Sequence, residues 1–455
     1  MRNEHALLAC SAILLFHLAG CAGFPANGAA KSESIVEISN STSNGTRPIQ
    51  LFGTPPKAVA PKDNNLRLIL FDSEKIAGLR LAIKAGNGSE YGEWLNGLEV
   101  EASSFLAKDP PSVTGKDVYP EGADGHQYVS LAPYTWPDSS KTGHEPYVSL
   151  DGQSNPESKN QSKYDSIRIS EMSDAVAMLS FAYALTGNET YAKKAADYIH
   201  VWFVDPDTRM SPDLEYAQLI PGRKDLEGYG VIDTVVLIPV ADSVKMLSGS
   251  KSLSAKDRIA VKKWFGEYAS WLRLSRKGLA ESKGKNNHGV WYDAQLAAFL
   301  DLDGDWKGAF DVLDSALGKR AYAQIEEDGR MPEELSRTKS FQYTLYNLEA
   351  FITLARAGDL YGLDIWEAGN PQKSRLKRAI AFACPYIAGE KDWPYTEISP
   401  GAEHEFARYL AIAEARYGSG DCASAINALL TNGSGSLRLE TLAARWKLQR
   451  TPPKP

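Results

Sequence analysis

A chain of 455 residues is long for one ordinary domain but within reach of a single large barrel or toroid with small appendages. At 43% hydrophobic and 24% charged its composition is that of a folding chain, and a formal net charge of −7 excludes general affinity for nucleic acid or anionic membranes, whose binders carry basic surfaces. An anionic ligand would need a locally basic cleft.

The first 23 residues read as a signal peptide: Arg2, the apolar run "ALLACSAILLFHLAG", then small residues. The run is too short and too weakly flanked for a spanning helix. "LAGC", ending at Cys21, also fits a bacterial lipoprotein cleavage box in which that cysteine carries lipid, whereas six N-x-S/T sequons at Asn40, Asn44, Asn87, Asn160, Asn188 and Asn432 favour a freely secreted protein. Both readings export the chain. Residues 24–65 are polar and form a linker. Beyond the processing region stand Cys384 and Cys422, which either pair in an oxidising compartment or remain two buried thiols.

From residue 66 to about 445 the spacing predicts helices in pairs. "SEMSDAVAMLSFAYALTGNETYAKKAADYIHVWF" is an apolar helix, a Thr-Gly-Asn break, and a second helix whose apolar positions recur at three and four. Looser versions follow: "VIDTVVLIPVADSVKML" with "AKDRIAVKKWFGEYASWLRL", "VWYDAQLAAFLDL" with "WKGAFDVLDSALGKRAYAQI", "YTLYNLEAFITLARAG" with "KSRLKRAIAFACPYI", and "HEFARYLAIAEARYG" with "CASAINALL". In each pair the first helix is apolar nearly all round and the second is two-faced, as in an inner and an outer ring. The predicted fold is all-α, an α/α toroid. A doubly wound sheet is excluded by the lack of β-branched runs between the helices.

Two polar strings precede inner helices: "KGKNNHGVWYDAQ" (283–295) and "MPEELSRTKSFQYTLYN" (331–347). At a helix start the free N–H groups and the dipole favour an anion, and Asn286, Asn287, His288, Arg337, Lys339 and Gln342 add donors, which together predict a carboxylate site. Each residue has a structural alternative. Asn286 can simply cap a helix, His288 can be a satisfied core histidine, and Tyr343 can be core. Glu333 and Glu334 could be the carboxylate pair of a hydrolase, but the three-residue spacing of Glu334 and Arg337 predicts an ion pair instead.

"NNHGVWYDAQ", "MPEELSRTKSFQYTLYN", "DGHQYVSLAPYTWPD" with "EPYVSLDGQSNPE", and "SPDLEYAQLIPGR" together resemble the alginate-lyase family of polysaccharide lyases, in the family's order over roughly residues 70 to 390. The resemblance implies an α/α barrel and β-elimination of a 4-linked polyuronate such as alginate or glucuronan. It implies catalytic roles for Asn287, His288, Arg337 and Tyr343, and places Tyr128, Tyr134, Trp136, Gln218 and Arg223 in the substrate groove. Lys285 and Lys339 join Arg223 and Arg337 as basic lining residues of the groove. Ser211 and Asp213 stand where relatives often carry Asn and His.

The chemistry suits these residue types. Elimination removes the proton at C5, α to a carboxylate, so donors must neutralise that carboxylate as charge develops on it. A phenolate can be the base if nearby positive charge lowers its pKa. No cofactor or metal is expected: "DLDGDWKGAFDV" (301–312) begins like a calcium loop, but Trp306 and Val312 replace the required glycine and glutamate, which predicts an inter-helix turn. The expected partner is an anionic polysaccharide. A hydrolase on the same toroid and a non-catalytic polysaccharide-binding protein are the alternatives.

Overall fold

The computed structural model describes residues 66–86, 92–223, 228–367, 374–399, 406–418, 420 and 422–432. The signal peptide, the linker, the Cys21 lipid site, and the sequons at Asn40, Asn44 and Asn87 lie outside the described residues. Among the described residues no helix is long and apolar enough to cross a membrane.

Helices α1 (Ser73–Lys84) and α2 (Gly92–Ser104) lead into five helix pairs. They are α3 (Ser166–Thr186) with α4 (Glu189–Phe203), α5 (Leu237–Met246) with α6 (Ala255–Leu274), α8 (Asn287–Asp303) with α9 (Trp306–Ala316), α12 (Ser340–Asp359) with α13 (Arg375–Ile387), and α14 (Ala407–Tyr417) with α15 (Ala423–Asn432). Between them come the short α7 (Arg276–Glu281), α10 (Tyr322–Gln324) and α11 (Pro332–Leu335). The first members pack in sequence, α3 on α5, α5 on α8, α8 on α12 and α12 on α14, and are buried on nearly every face. Their partners bury one face only, as in α4, where Tyr191, Ala192, Ala195, Tyr198, Ile199 and Trp202 turn inward. This is the toroid that the periodicity predicts. Leu70, Phe71, Ile76 and Leu79, at the start of the described chain, line a small cavity together with Phe181 and Leu185 of α3 and Arg408 and Ile412 of α14.

The handover between rings is local chemistry. Helices α3, α8 and α14 end at Gly187, Gly304 and Gly418 with φ of 74°, 103° and 58°, a left-handed turn that a side chain resists. Asn188 caps α4 by accepting from the Thr190 N–H at 3.0 Å, and Asn160 accepts from both the backbone and hydroxyl of Ser162. Two of the six sequon asparagines thus have a local structural role, Asn188 as a helix cap and Asn160 in a turn. Residues 301–312 are the end of α8, a turn and the start of α9, with Asp305 capping Gly308. Cys384 and Cys422 form a disulfide that ties α13 to the start of α15.

The expectation of helix from residue 66 onward fails over 105–165 and 204–223, which are mostly irregular. Two small sheets stand there: β1 (Val129–Leu131) parallel to β4 (Tyr216–Leu219), and β2 (Thr135–Trp136) antiparallel to β3 (Val148–Ser149). Buried Asp165 anchors β1, accepting from the Val129 N–H at 3.0 Å and pairing with Lys116 at 2.8 Å. Proline, glycine and aspartate are frequent in these stretches, and they interrupt helical hydrogen bonding.

Candidate active site

The N-terminal ends of α8 and α12, which pack side by side, bring the two polar strings together. A π-helical turn over Leu317–Ala321 carries Arg320, whose guanidinium is bound by Asp293 at 2.6 and 3.1 Å and donates to the carbonyls of Ser282 (2.8 Å) and Gly284 (2.7 Å). That clamp fixes the approach to α8. It leaves no room for a side chain at Gly289, where a Cβ would stand 2.1 Å from the Gly284 oxygen and 2.2 Å from Arg320. Asn286 occupies the cap position of α8 but makes no capping bond with its side chain.

Fully buried Glu334 takes the capping role. Its Oε1 accepts from the Asn287 backbone N–H at 2.7 Å, and its carboxylate also accepts from Asn287 Nδ2 at 3.0 and 3.2 Å. Burial raises its pKa to about 7 despite Asn287 and the Arg337 charge. At α12 the equivalent place is taken by Glu397, which accepts from the N–H groups of Phe341 (2.9 Å) and Gln342 (3.2 Å). Both helix starts are therefore occupied by the protein's own carboxylates. The expectation that they would receive a ligand's anion is corrected, because a buried helix start must be satisfied internally in the absence of ligand.

Arg337 does not pair with Glu334. It forks onto Asp151, with Nε–Oδ1 at 3.0 Å and a second bond from Nη2 to the same oxygen, and Thr338 adds its N–H at 2.9 Å. Against burial, which would raise it, these donors hold the Asp151 pKa below its usual value. The sequence reading missed Asp151, although it lies inside the quoted "SLDGQSNPE". It meets Thr338 closely because Gly152 leaves no Cβ in the way, where one would be 2.4 Å from Thr338 Oγ1.

The Arg337 guanidinium lies 3.9 Å from the centre of the Tyr343 ring, and the Tyr343 hydroxyl donates to Tyr134 Oη at 3.0 Å. Lys339 sets its ammonium 5.4 Å from the Tyr134 ring centre. Two phenols thus share a hydrogen bond, each with a cation at its face. Burial raises the Tyr343 pKa well above normal, with Tyr134 adding to the rise and Arg337 opposing it, and burial pushes Tyr134 up to about 12. The expected lowering by Arg337 is outweighed by desolvation.

His288 is buried, with Nδ1 2.6 Å from Oε1 of Glu281, a partner the sequence reading also missed. Burial and the Arg337 charge lower its pKa to about 3. Gln218 sits at φ 49° in β4, donating Nε2 to Asp233 at 2.7 Å while its Oε1 is buried without a partner. Tyr128 and Ser130 donate to the same aspartate at 3.1 and 2.5 Å. Tyr128 is thus an interior support rather than a groove residue, its long-range pairing invisible in sequence. Trp136 is half-buried, its indole N–H on the Gln153 carbonyl at 2.8 Å. Arg223 is exposed on the turn after β4, pairs with no side chain among the described residues, and is not gathered into the cluster.

Asn287, His288, Arg337, Tyr343, Tyr134 and Lys339 converge, whereas Gln218 and Tyr128 meet on Asp233. Among the described residues no group of three or more His, Cys, Asp or Glu could hold a metal ion.

Among curated proteins none matches the chain. The family model described as alginate lyase matches residues 112–393. An alginate lyase from Bacteroides ovatus is similar at 33% identity and a TM-score of 0.75, over 80% of this chain and 95% of that one. Alginate lyase A1-III from Sphingomonas species A1 aligns at 16% identity and a TM-score of 0.46, over 81% and 93% of the two chains. A variant of A1-III complexed with tetrasaccharide aligns at 14% and 0.50, over 78% and 90%. With a family model matching more than half its length and a relative one-third identical over four fifths of it, the chain belongs to the alginate lyase family and is a polysaccharide lyase.

Proposed function

We propose that the enzyme cleaves a 4-linked polyuronate whose C5 hydrogen and C4 oxygen lie on the same side of the ring, polymannuronate in alginate first and glucuronan second. Tyr343 takes the C5 proton and returns it to the departing C4 oxygen. The C4–O bond breaks, a C4=C5 double bond forms, and the new chain end is a 4,5-unsaturated uronate. Arg337 and His288 bind the C6 carboxylate and hold the charge that accumulates there, while Asn287, whose amide donates to Glu334, holds the start of α8 in place beside them. The observation that carries this reading is the hydrogen-bonded phenol pair Tyr343–Tyr134 with Arg337 and Lys339 at its ring faces.

A pair of phenols in contact loses its first proton as a unit. The anion that remains is stabilised by the surviving O–H···O bond and by both cations, while burial opposes it. Rates then rise from acid toward mildly alkaline pH. The hydrolase alternative is disfavoured because Glu334 spends both oxygens on Asn287 and its neighbour Glu333 faces solvent. Trp136 and Lys339, beside the phenol pair, extend the binding site for the anionic chain, and Arg223 stands outside the cluster.

The test is absorbance of unsaturated ends formed from polymannuronate, glucuronan and polyguluronate. Turnover of polymannuronate or glucuronan well above polyguluronate is expected, and equal or greater turnover of polyguluronate overturns the reading. Export, free or lipid-anchored through Cys21, is supported by the apolar leader and by the Cys384–Cys422 disulfide. Fractionation of cells expressing the full chain and its Cys21→Ala variant separates the two forms.

A further inference from the structure

Glu281 ends α7, and several close contacts hold it there. Ser275 caps the helix, accepting from the Gly278 N–H at 3.0 Å. A Cβ on Gly278 would stand 2.0 Å from the Leu272 oxygen, and one on Gly228 would stand 2.2 Å from the Lys277 oxygen. The short helix is therefore seated against its neighbours backbone to backbone. The carboxyl it delivers is 3% exposed and meets the 4% exposed His288 at Nδ1.

One proton lies between Oε1 and Nδ1, and whether the pair carries a second proton decides what Nε2 can do. If Glu281 is ionised and His288 neutral, Nδ1 carries the hydrogen and Nε2 presents a lone pair, which is a base. If the pair carries two protons and stays neutral, the carboxyl donates the shared one to Nδ1 and the second sits on Nε2, which is then a donor. The charged groups that bear on the pair favour the second state. Asp233 adds negative potential at Glu281, and Arg320, the opposing cation, is bound to Asp293. Arg337 disfavours an imidazolium, and the other face of the imidazole meets the Tyr229 ring, 5.6 Å between centroids. Burial raises Glu281 well above the usual carboxyl range and lowers His288 to about 3, both in the direction of the neutral two-proton pair.

We propose that Glu281 is a positioning residue that keeps its carboxyl proton on the Nδ1 side of His288, fixing Nε2 as an N–H donor to the uronate carboxylate and withholding it as a base. This deepens the reading of His288 given above and rests on it. The donor state sets specificity. Guluronate presents its C5 hydrogen and C4 oxygen on opposite sides, so its elimination needs a second proton-transfer group facing Tyr343, and an imidazole already protonated at Nε2 cannot accept that proton.

The direct test is the 15N spectrum of histidine-labelled full-length protein between pH 6 and 9, with the His288 signals assigned by their loss in His288→Asn. A neutral ring protonated at Nε2 and bare at Nδ1 is expected. A ring protonated at Nδ1, or an imidazolium, overturns the proposal. Kinetics on polymannuronate give a second readout. Glu281→Gln supplies an amide N–H to Nδ1 and should keep kcat within about tenfold, whereas Glu281→Ala should lose about a hundredfold. Equal losses in the two variants overturn the proton-donor role. If wild-type protein forms no unsaturated ends from any polyuronate, the functional reading fails, and the spectrum still decides the protonation of the pair.

Discussion

Replacing Glu334 with glutamine should change how stability depends on pH more than it changes stability itself. In the folded protein the carboxyl holds its proton up to about pH 7, against 4.5 for a free glutamate. At about 1.4 kcal/mol per unit, ionising it in place costs on the order of 3 kcal/mol. Between those two values the unfolded chain has lost a proton that the folded chain keeps, so stability falls as pH rises. The contribution is fully present below about pH 4.5 and lost as pH rises through 7. Asp233, held at about 6 by burial, acts in the same direction, so the informative quantity is the difference between variant and wild type. Urea unfolding followed by tryptophan fluorescence at pH 4.5 and pH 8 should show Glu334→Gln gaining about 3 kcal/mol relative to wild type at the higher pH. The glutamine oxygen still accepts from the Asn287 N–H, so the cap survives. If the difference between the two proteins is the same at both pH values, Glu334 ionises freely and the reasoning from its burial is wrong.

Tyr343→Phe removes one oxygen from the phenol pair and leaves the ring under Arg337, so kcat should fall about a thousandfold with little change in KM. Retention of most of the activity would make Tyr343 a core residue, and an optimum near pH 4 to 5 in the wild type would point to carboxylate chemistry instead. Asp151→Asn leaves Arg337 without its anionic partner, and kcat on polymannuronate should drop about tenfold to a hundredfold. Arg337→Lys should lose more, since an ammonium reproduces neither the fork onto Asp151 nor the planar stack on Tyr343. Steady-state kinetics in which Asp151→Asn equals wild type would show that the fork does not orient Arg337.

The ring of helix pairs was legible because α3 and α4, or α8 and α9, differ in how many faces are apolar, and that difference is written in residue spacing. The convergence of His288, Arg337 and Tyr343 was legible through the polar strings ahead of two inner helices. What escaped were the partners. Asp151 reaches Arg337 across 186 residues and Glu397 reaches α12 from 56 residues downstream, and no local pattern encodes such pairings. Glu281 is only seven residues from His288, yet their contact depends on a short helix folding back at Gly284, which periodicity does not register. The ion pair expected between Glu334 and Arg337 failed because the spacing rule applies within one helix, and α11 ends before Arg337.

Both inner helices at the site spend their first N–H groups on Glu334 and Glu397. On the proposed reading, recognition of the uronate therefore falls to side chains and not to the main chain. An anion cradle made of peptide groups is fixed by the fold and cannot be edited one residue at a time. One made of side chains such as Arg337 and His288 can be. On the proposed reading, substitutions among these side chains change polymer preference while the ring of helices that supports them is unaltered.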